Sequence, residues 1–208
     1  MPPRKTNSQV ADALLQLLCA EIVRSVIDRV KSDATGGGAA GSGSGGAGSS
    51  STSSGGAGGG ASGGGAFADA YEAKIATEAA YQKLESIGFS IGFRIAERMT
   101  KDRARLSTTL DIIKFLCKDF WAEVFQKQVD KLQTNHRGVY VLQDRAFRWL
   151  TRMSSPDADK PNDAALQHLV LPCGLVRGAL QNLGLACEVT ANISPALPKT
   201  TFTIKIGS

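Results

Sequence analysis

The side chains able to do chemistry are few, and nothing in the sequence groups them. There are two histidines, His136 and His168. Either could serve as a general base, but no nucleophile is placed beside it. Asp111, Asp119, Glu123 and Asp130 alternate with Lys114, Lys118 and Lys127 at helical spacing, the pattern of surface ion pairs on a helix. The sequence contains no G-x-S-x-G, no Walker-type phosphate loop and no H-E-x-x-H. Cys19, Cys117, Cys173 and Cys187 lack C-x-x-C spacing and a neighbouring histidine that would complete a zinc site. They are expected to be small apolar fillers. No catalytic residue, metal or cofactor is expected of this chain.

Hydrophobic residues make up 42% and charged residues 21%, a balance that favours a folded core over disorder. The net charge of +5 is uneven, with +4 of it between residues 66 and 153. Arg94, Arg98, Lys101, Arg103 and Arg105 lie close in sequence to Lys114 and Lys118. A solvated face accounts for such a cluster. The functional alternative is attraction to an acidic partner or an anionic membrane surface, with Lys101, Arg103, Arg105 and Lys118 as the candidate basic surface. Nucleic acid is not an expected partner, because the aromatic residues sit on apolar faces and do not alternate with Lys and Arg. No apolar run reaches about eighteen residues, so no membrane-spanning helix is expected. The first apolar run follows Asp12 and is patterned as a helix face without a cleavage site. With unpaired cysteines, this points to a cytosolic protein.

The elements that must position these groups follow from periodicity. Residues 10–31 are apolar over more than the roughly 100° stripe that a helix on one core requires. Such a helix is either sunk within its own domain or covered on its second side by another subunit. Residues 36–65 are all Gly, Ala, Ser or Thr and hold 16 of the 23 glycines. A tether of that composition spans about 30 Å as a random coil. Lengthening a loop from about eight to about thirty residues adds only ~1.2 kcal/mol of closure entropy, so it can join two packed helices. One domain over residues 1–208, interrupted at 36–65, is therefore expected. Residues 67–99 form the next helix, with Ile87, Ile91, Ile95 and Met99 on one stripe and Phe89 and Phe93 on another. Gly88 and Gly92 stand four apart on its surface, where a second backbone could approach closely, from within the domain or from a partner.

The core of the pattern is residues 110–144. Apolar residues from Leu110 to Phe125 recur at spacings of three and four, predicting a buried helix. Two extended runs follow, 129–134 and 139–143, around the turn residues Asn135 to Gly138. After a Pro- and Asp-rich loop at 154–163, residues 166–183 predict a helix broken or begun at Pro172 and ended at Gly184. Gly174 and Gly178 repeat the four-residue spacing of small residues. Cys187, Val189, Ala191 and Ile193 alternate, as do Phe202, Ile204 and Ile206, with Pro195 and Pro198 between the two strands. The expected class is α+β, two layers, about four helices on one face of a four-stranded antiparallel sheet.

Three segments carry a resemblance: KFLCKDFWAEVFQKQVDKLQTNHRGVYVLQD at 114–144, LESIGFSIGFRIAER at 84–98 and CGLVRGALQNLG at 173–184. Together they are similar to the small core subunits of TRAPP, the transport protein particle, and most nearly to its sixth-subunit branch. Residues 11–28 and 197–206 extend the similarity over nearly all of the chain except 36–65 and the extreme N-terminus. An uninterrupted match of about thirty residues is far more specific than a short motif. The resemblance implies a non-catalytic scaffold subunit, peripheral at Golgi and ER-Golgi membranes, of a vesicle-tethering complex that acts as exchange factor for a Rab-type GTPase. It also implies a heterodimer with a paralogous small subunit through the first two helices, at residues matching 11–27 and 84–98. Leu14, Leu18, Ile22, Ile87, Phe89 and Phe93 are the interface residues this implies. Another branch of the family carries a fatty acyl chain on a cysteine upstream of the third helix. Arg103 stands near that position and no cysteine occurs from Asp102 to Asp111, so the modification is not expected here. An apolar ligand held between helices and sheet, with Gly174 and Gly178 leaving room, is the alternative from another class.

Overall fold

Two long helices open the fold: α1 spans Lys5–Thr35 and α2 spans Gly64–Thr100. The computed structural model describes residues 5–35, 64–135, 137–151, 163–194 and 199–207. The expectations for His136, most of the 36–65 tether, the 154–162 stretch, Pro195 and Pro198 therefore lie outside the described residues.

Thr108 starts the third helix. Its hydroxyl oxygen accepts from the Asp111 N–H at 3.1 Å and its O–H donates to the Asp111 carboxylate, a reciprocal cap that satisfies an otherwise orphaned helix donor. The expected uniform helix over 110–125 is in fact three pieces. Helix α3 (Thr109–Phe115) widens into a π turn at Leu116–Phe120 and returns as α4 (Trp121–Phe125). The wider turn rephases the residues after it, and Leu116, Cys117, Phe120, Trp121, Val124 and Phe125 are all buried. Gln126 then ends the helix in the left-handed region at φ 58°.

The sheet contains β1 (Lys131–Thr134), β2 (Val139–Asp144), β3 (Cys187–Ile193) and β4 (Thr200–Ile206), in the order β1-β2-β4-β3 with every pair antiparallel. Strand β1 is shorter than expected. The Val129 N–H is taken by the Cys117 carbonyl at 3.1 Å, so Val129 is tied back to the π turn and the contact with β2 begins with the Asp130 N–H on the Gln143 carbonyl. A short 3₁₀ turn at Arg148–Leu150 follows β2.

Helix α5 (Asp163–Asn182) runs through Pro172 without a break, a correction to the expected interruption. An interior proline costs about 3 kcal/mol. Burial of Leu169, Leu171, Cys173, Leu175, Val176, Ala179 and Leu180 along the same helix outweighs it. Gly184, at φ 85°, closes the helix. Its N–H donates to the Gln181 carbonyl at 3.1 Å and the Leu185 N–H to the Leu180 carbonyl at 2.9 Å.

The main core lies between the inner face of the sheet and α3, α4 and α5, and includes Leu142, Phe202, Ile204 and Val189 from the strands. Trp121 meets Phe125 at 4.5 Å and Phe202 at 5.1 Å between ring centroids, and Phe125 meets Phe147 at 4.9 Å. The observed class is the expected one, α+β with helices packed against a four-stranded antiparallel sheet.

The glycine pairs answer each other. A Cβ on Gly88 or Gly92 would strike the backbone of Leu171 or Leu175, and one on Gly174 or Gly178 would strike that of Glu85 or Phe89. Helices α2 and α5 therefore run in the same direction with their backbones in contact. The close approach anticipated at Gly88 and Gly92 is to a helix of the same chain.

Candidate partner interface

Helix α1 has one covered side. Val23 and Ile27 are buried against Ala80 and Leu84 of α2 and Leu171 of α5. Its other side carries Leu14, Leu17 and Leu18, exposed to 61%, 55% and 57%. Helix α2 contributes exposed Tyr71, Ile75 and Ile91. Leucines left in water at spacings of three and four on one helix form an apolar patch, the kind of surface that marks an association site.

The six residues expected at an interface are distributed over three environments. Leu14 and Leu18 lie in the exposed patch. Ile22 and Ile87 are half-buried and pack against the cluster formed by Val23, Ile27, Ala80, Leu84 and Leu171. Phe89 and Phe93 are half-buried with ring centroids 6.3 Å apart, and the Arg177 guanidinium lies 5.2 Å over the Phe89 ring. Leu17, Tyr71 and Ile75 were not singled out from the sequence. The signal for Leu17 was present, since positions 14, 17 and 18 form an i, i+3, i+4 set.

The basic residues also separate. Arg103 donates to Asp119 at 2.6 Å and lies 5.4 Å over the Phe115 ring, and Arg98 donates to Glu123 at 2.8 Å. Lys101, Arg105 and Lys118 have no acidic partner among the described residues.

A buried carboxylate ties the third helix to the sheet. Asp144 is fully buried and accepts from Trp121 Nε1 at 3.1 Å, Lys127 Nζ at 2.6 Å and the Ala146 N–H at 3.0 Å. Lys127 also donates to Asp130 at 2.9 Å, and Asp130 accepts from the Arg145 N–H at 2.7 Å. Burial opposes the Lys127 ammonium, but its hydrogen bonds to Asp130 and Asp144 outweigh that and raise its pKa. The Lys127 and Arg145 donors hold the Asp130 carboxyl below its usual range. Thr200, opposite Asp144 in the ladder, is buried with its hydroxyl unpartnered. Thr200→Val removes that desolvated group at nearly constant shape, and is expected to raise stability by about 1 kcal/mol in urea unfolding. A loss of stability would show that the hydroxyl is bonded in solution.

The thiols are chemically quiet. Burial pushes Cys19 up to about 11, Cys117 to about 12, Cys173 to about 12 and Cys187 to about 11. Thiolates at neutral pH are then scarce. At about pH 8, iodoacetamide should label the folded chain at least about a hundredfold more slowly than the urea-unfolded chain, followed by intact mass. One fast-reacting cysteine in the folded state would contradict these environments. Burial lowers the His168 pKa, so it favours the neutral ring; it lies where the start of α5 faces Leu17, Val23 and Ile27 of α1. Among the described residues no three His, Cys, Asp or Glu side chains are grouped to hold a metal ion, and no helix is long and apolar enough to cross a membrane.

The fold and this surface define a small α+β protein whose two long helices leave apolar side chains uncovered. The model of the transport protein particle (TRAPP) component family matches residues 15–207, and the chain belongs to that family. It is 45% identical over 140 residues to trafficking protein particle complex subunit 6B of Homo sapiens, covering 67% of this chain and 87% of that protein. Subunit 6A of Homo sapiens is 45% identical over 123 residues, 59% of this chain and 76% of that one. Among solved structures, the chain is similar to a trafficking protein particle complex subunit 3 from Naegleria fowleri that is covalently bound to palmitic acid. The TM-score is 0.52 at 15% identity, over 69% of this chain and 94% of that chain, a likeness of fold.

Proposed function

We propose that this chain is a non-catalytic scaffold subunit of a TRAPP complex, and that it forms a heterodimer with a paralogous small subunit through α1 and α2. The observation that carries this reading is the exposed row Leu14, Leu17 and Leu18 on α1, with Tyr71, Ile75 and Ile91 on α2. Covering each such side chain is worth roughly 1.5–3 kcal/mol, enough over several residues to drive association. Through the assembled complex the subunit serves vesicle tethering and nucleotide exchange on a Rab-type GTPase in ER-Golgi traffic. The subunit is cytoplasmic and peripheral at Golgi and ER-Golgi membranes, and the unpaired Lys101, Arg105 and Lys118 supply the charge for contact with an anionic surface.

Leu18→Asp tests the dimer. Leu18 is exposed in the isolated chain, so the charge should not disturb its folding. It would become an unpaired buried carboxylate in the complex. Co-purification with a paralogous subunit is expected to weaken by at least about a hundredfold, with the thermal midpoint of the free chain unchanged. Undiminished co-purification would remove this face from the interface.

A further inference from the structure

A second surface is defined by the sheet: β3 is the last strand in the order β1-β2-β4-β3, so among the described residues one of its edges has no strand beside it. The hydrogen bonds from Gly207 N–H to the Ala186 carbonyl and from Ser194 N–H to the Lys199 carbonyl set the phase of the β3–β4 ladder. With Cys187 opposite Ile206 and Ile193 opposite Thr200, the residues Glu188, Thr190 and Asn192 direct their backbone groups to β4. Cys187, Val189, Ala191 and Ile193 turn theirs outward. Among the described residues, none of these outward groups has a hydrogen-bond partner.

A groove runs along this edge. Its strand side is formed by five consecutive residues, Cys187 to Ala191, which point to both faces of the sheet, so it follows the backbone edge itself. Its helix side is a stripe of α5, Leu166, Leu169, Val170, Cys173 and Arg177, with Tyr81 and Glu85 of α2 beside it. From Leu166 to Arg177 a helix rises about 16 Å. From Cys187 to Ala191 extended chain rises about 13 Å, so the strand wall runs along most of that length.

The two edges of the sheet differ in their protection. Strand β1 is four residues long and starts with Lys131, both features that discourage pairing with another chain. Strand β3 is seven residues long with no proline or lysine, and its one charged side chain is Glu188. In the groove, Arg177 is already paired with Glu85 at 3.2 Å, while Glu188 reaches Lys205 only at 3.9 Å and stays largely exposed. The lining itself therefore holds two carboxylates, Glu85 and Glu188, against one cation, Arg177. A second copy of β3 would bring another Glu188 and no basic residue.

We propose that the free edge of β3 accepts an extended segment of a partner protein, apolar at alternate positions and carrying a lysine or arginine near Glu188. Backbone bonds to Cys187, Val189 and Ala191 would hold the segment, with alternate side chains entering the groove against α5. The proposal uses none of the exposed leucines of α1, although α2 borders the groove through Tyr81 and Glu85, so Leu18→Asp serves to separate the two surfaces.

The test pans random linear heptapeptides displayed on phage against the full chain. Selected sequences are expected to alternate apolar and polar residues and to be enriched in lysine and arginine. In Ala191→Pro an outward N–H is lost while the β3–β4 ladder keeps its bonds. Synthetic peptides from the selection should bind this variant at least about tenfold more weakly, with binding to Leu18→Asp unchanged. Glu188→Lys should turn the selection towards acidic peptides. Should Ala191→Pro fail to fold, N-methylation of alternate peptide residues replaces it, with the same loss expected against the unaltered chain. No enriched sequence, equal binding by Ala191→Pro, equal binding by the N-methylated peptides, or loss of binding in Leu18→Asp would each overturn the proposal. So would a concentration-dependent homodimer that disappears in Ala191→Pro, which would make a second copy the occupant.

Discussion

Gly92→Ala is expected to destabilise the fold by about 3 kcal/mol or more, lowering the thermal midpoint by roughly 6–12 °C for a chain of this size. The added Cβ would overlap the Leu175 carbonyl oxygen and stand 2.7 Å from its carbon and 2.8 Å from the Leu175 Cα. These are helix backbone atoms, which cannot rotate aside as the end of a side chain can. Relief requires α2 and α5 to separate, and Gly88, Gly174 and Gly178 are placed so that separation loosens the whole contact. Overpacking a core commonly costs 1–3 kcal/mol, and a backbone collision belongs at or beyond the upper end of that range. Gly184→Ala is the useful contrast. Nothing lies within 4 Å of its added Cβ, so its penalty is limited to the left-handed backbone at φ 85°, about 1–2 kcal/mol. If Gly92→Ala melts within about 2 °C of the parent chain, the two helices are not in backbone contact in solution.

Asp144→Ala is expected to cost about 3–5 kcal/mol, read as a lower urea midpoint at unchanged slope. The substitution removes the acceptor of the Trp121 indole N–H, of Lys127 Nζ and of the Ala146 N–H at once. Trp121 is fully buried, so its N–H would have no water to replace the carboxylate. Lys127 would keep Asp130 as a partner, which moderates the charge part of the loss. Asp144→Asn, which retains an acceptor oxygen but not the charge, should fall between the parent and the alanine variant. Adding Lys127→Met to Asp144→Ala should restore part of the stability, because the cation left behind is then also gone. If Asp144→Ala lost less than about 1 kcal/mol, the carboxylate would not be the joint between helix and sheet.

Much of the architecture was legible because periodicity is local. The spacing along α1, α2 and the third helix follows the helical repeat, and the alternation in β3 and β4 follows the strand repeat, so each appears in the sequence without knowledge of its neighbours. Pro172 misled for the same reason. A local rule predicts a break, whereas the packing of α5 on α2 and the sheet keeps the helix whole. The π turn was also invisible, because it depends on how Trp121 is accommodated against Phe202 of β4 and Asp144 of β2.

The candidate interface was half legible. That α1 has two apolar sides is written in residues 10–31, and the exposure of Leu14 and Leu18 agrees with an unfilled second side. Which of the apolar residues are covered was not readable, because Leu18, Ile22 and Val23 are equivalent in hydrophobicity and differ only in where α2 and α5 lie.

By itself, the sequence determined most of the elements, their order and the family, since these depend on residue type and spacing along the chain. Tertiary structure alone decided that Gly88 and Gly92 face Gly174 and Gly178, that Asp144 is a buried joint and not a surface charge, and that Leu17 stays in water. Each of these is a relation between residues distant in sequence, and it is the packing of one element on another that settles which groups are desolvated.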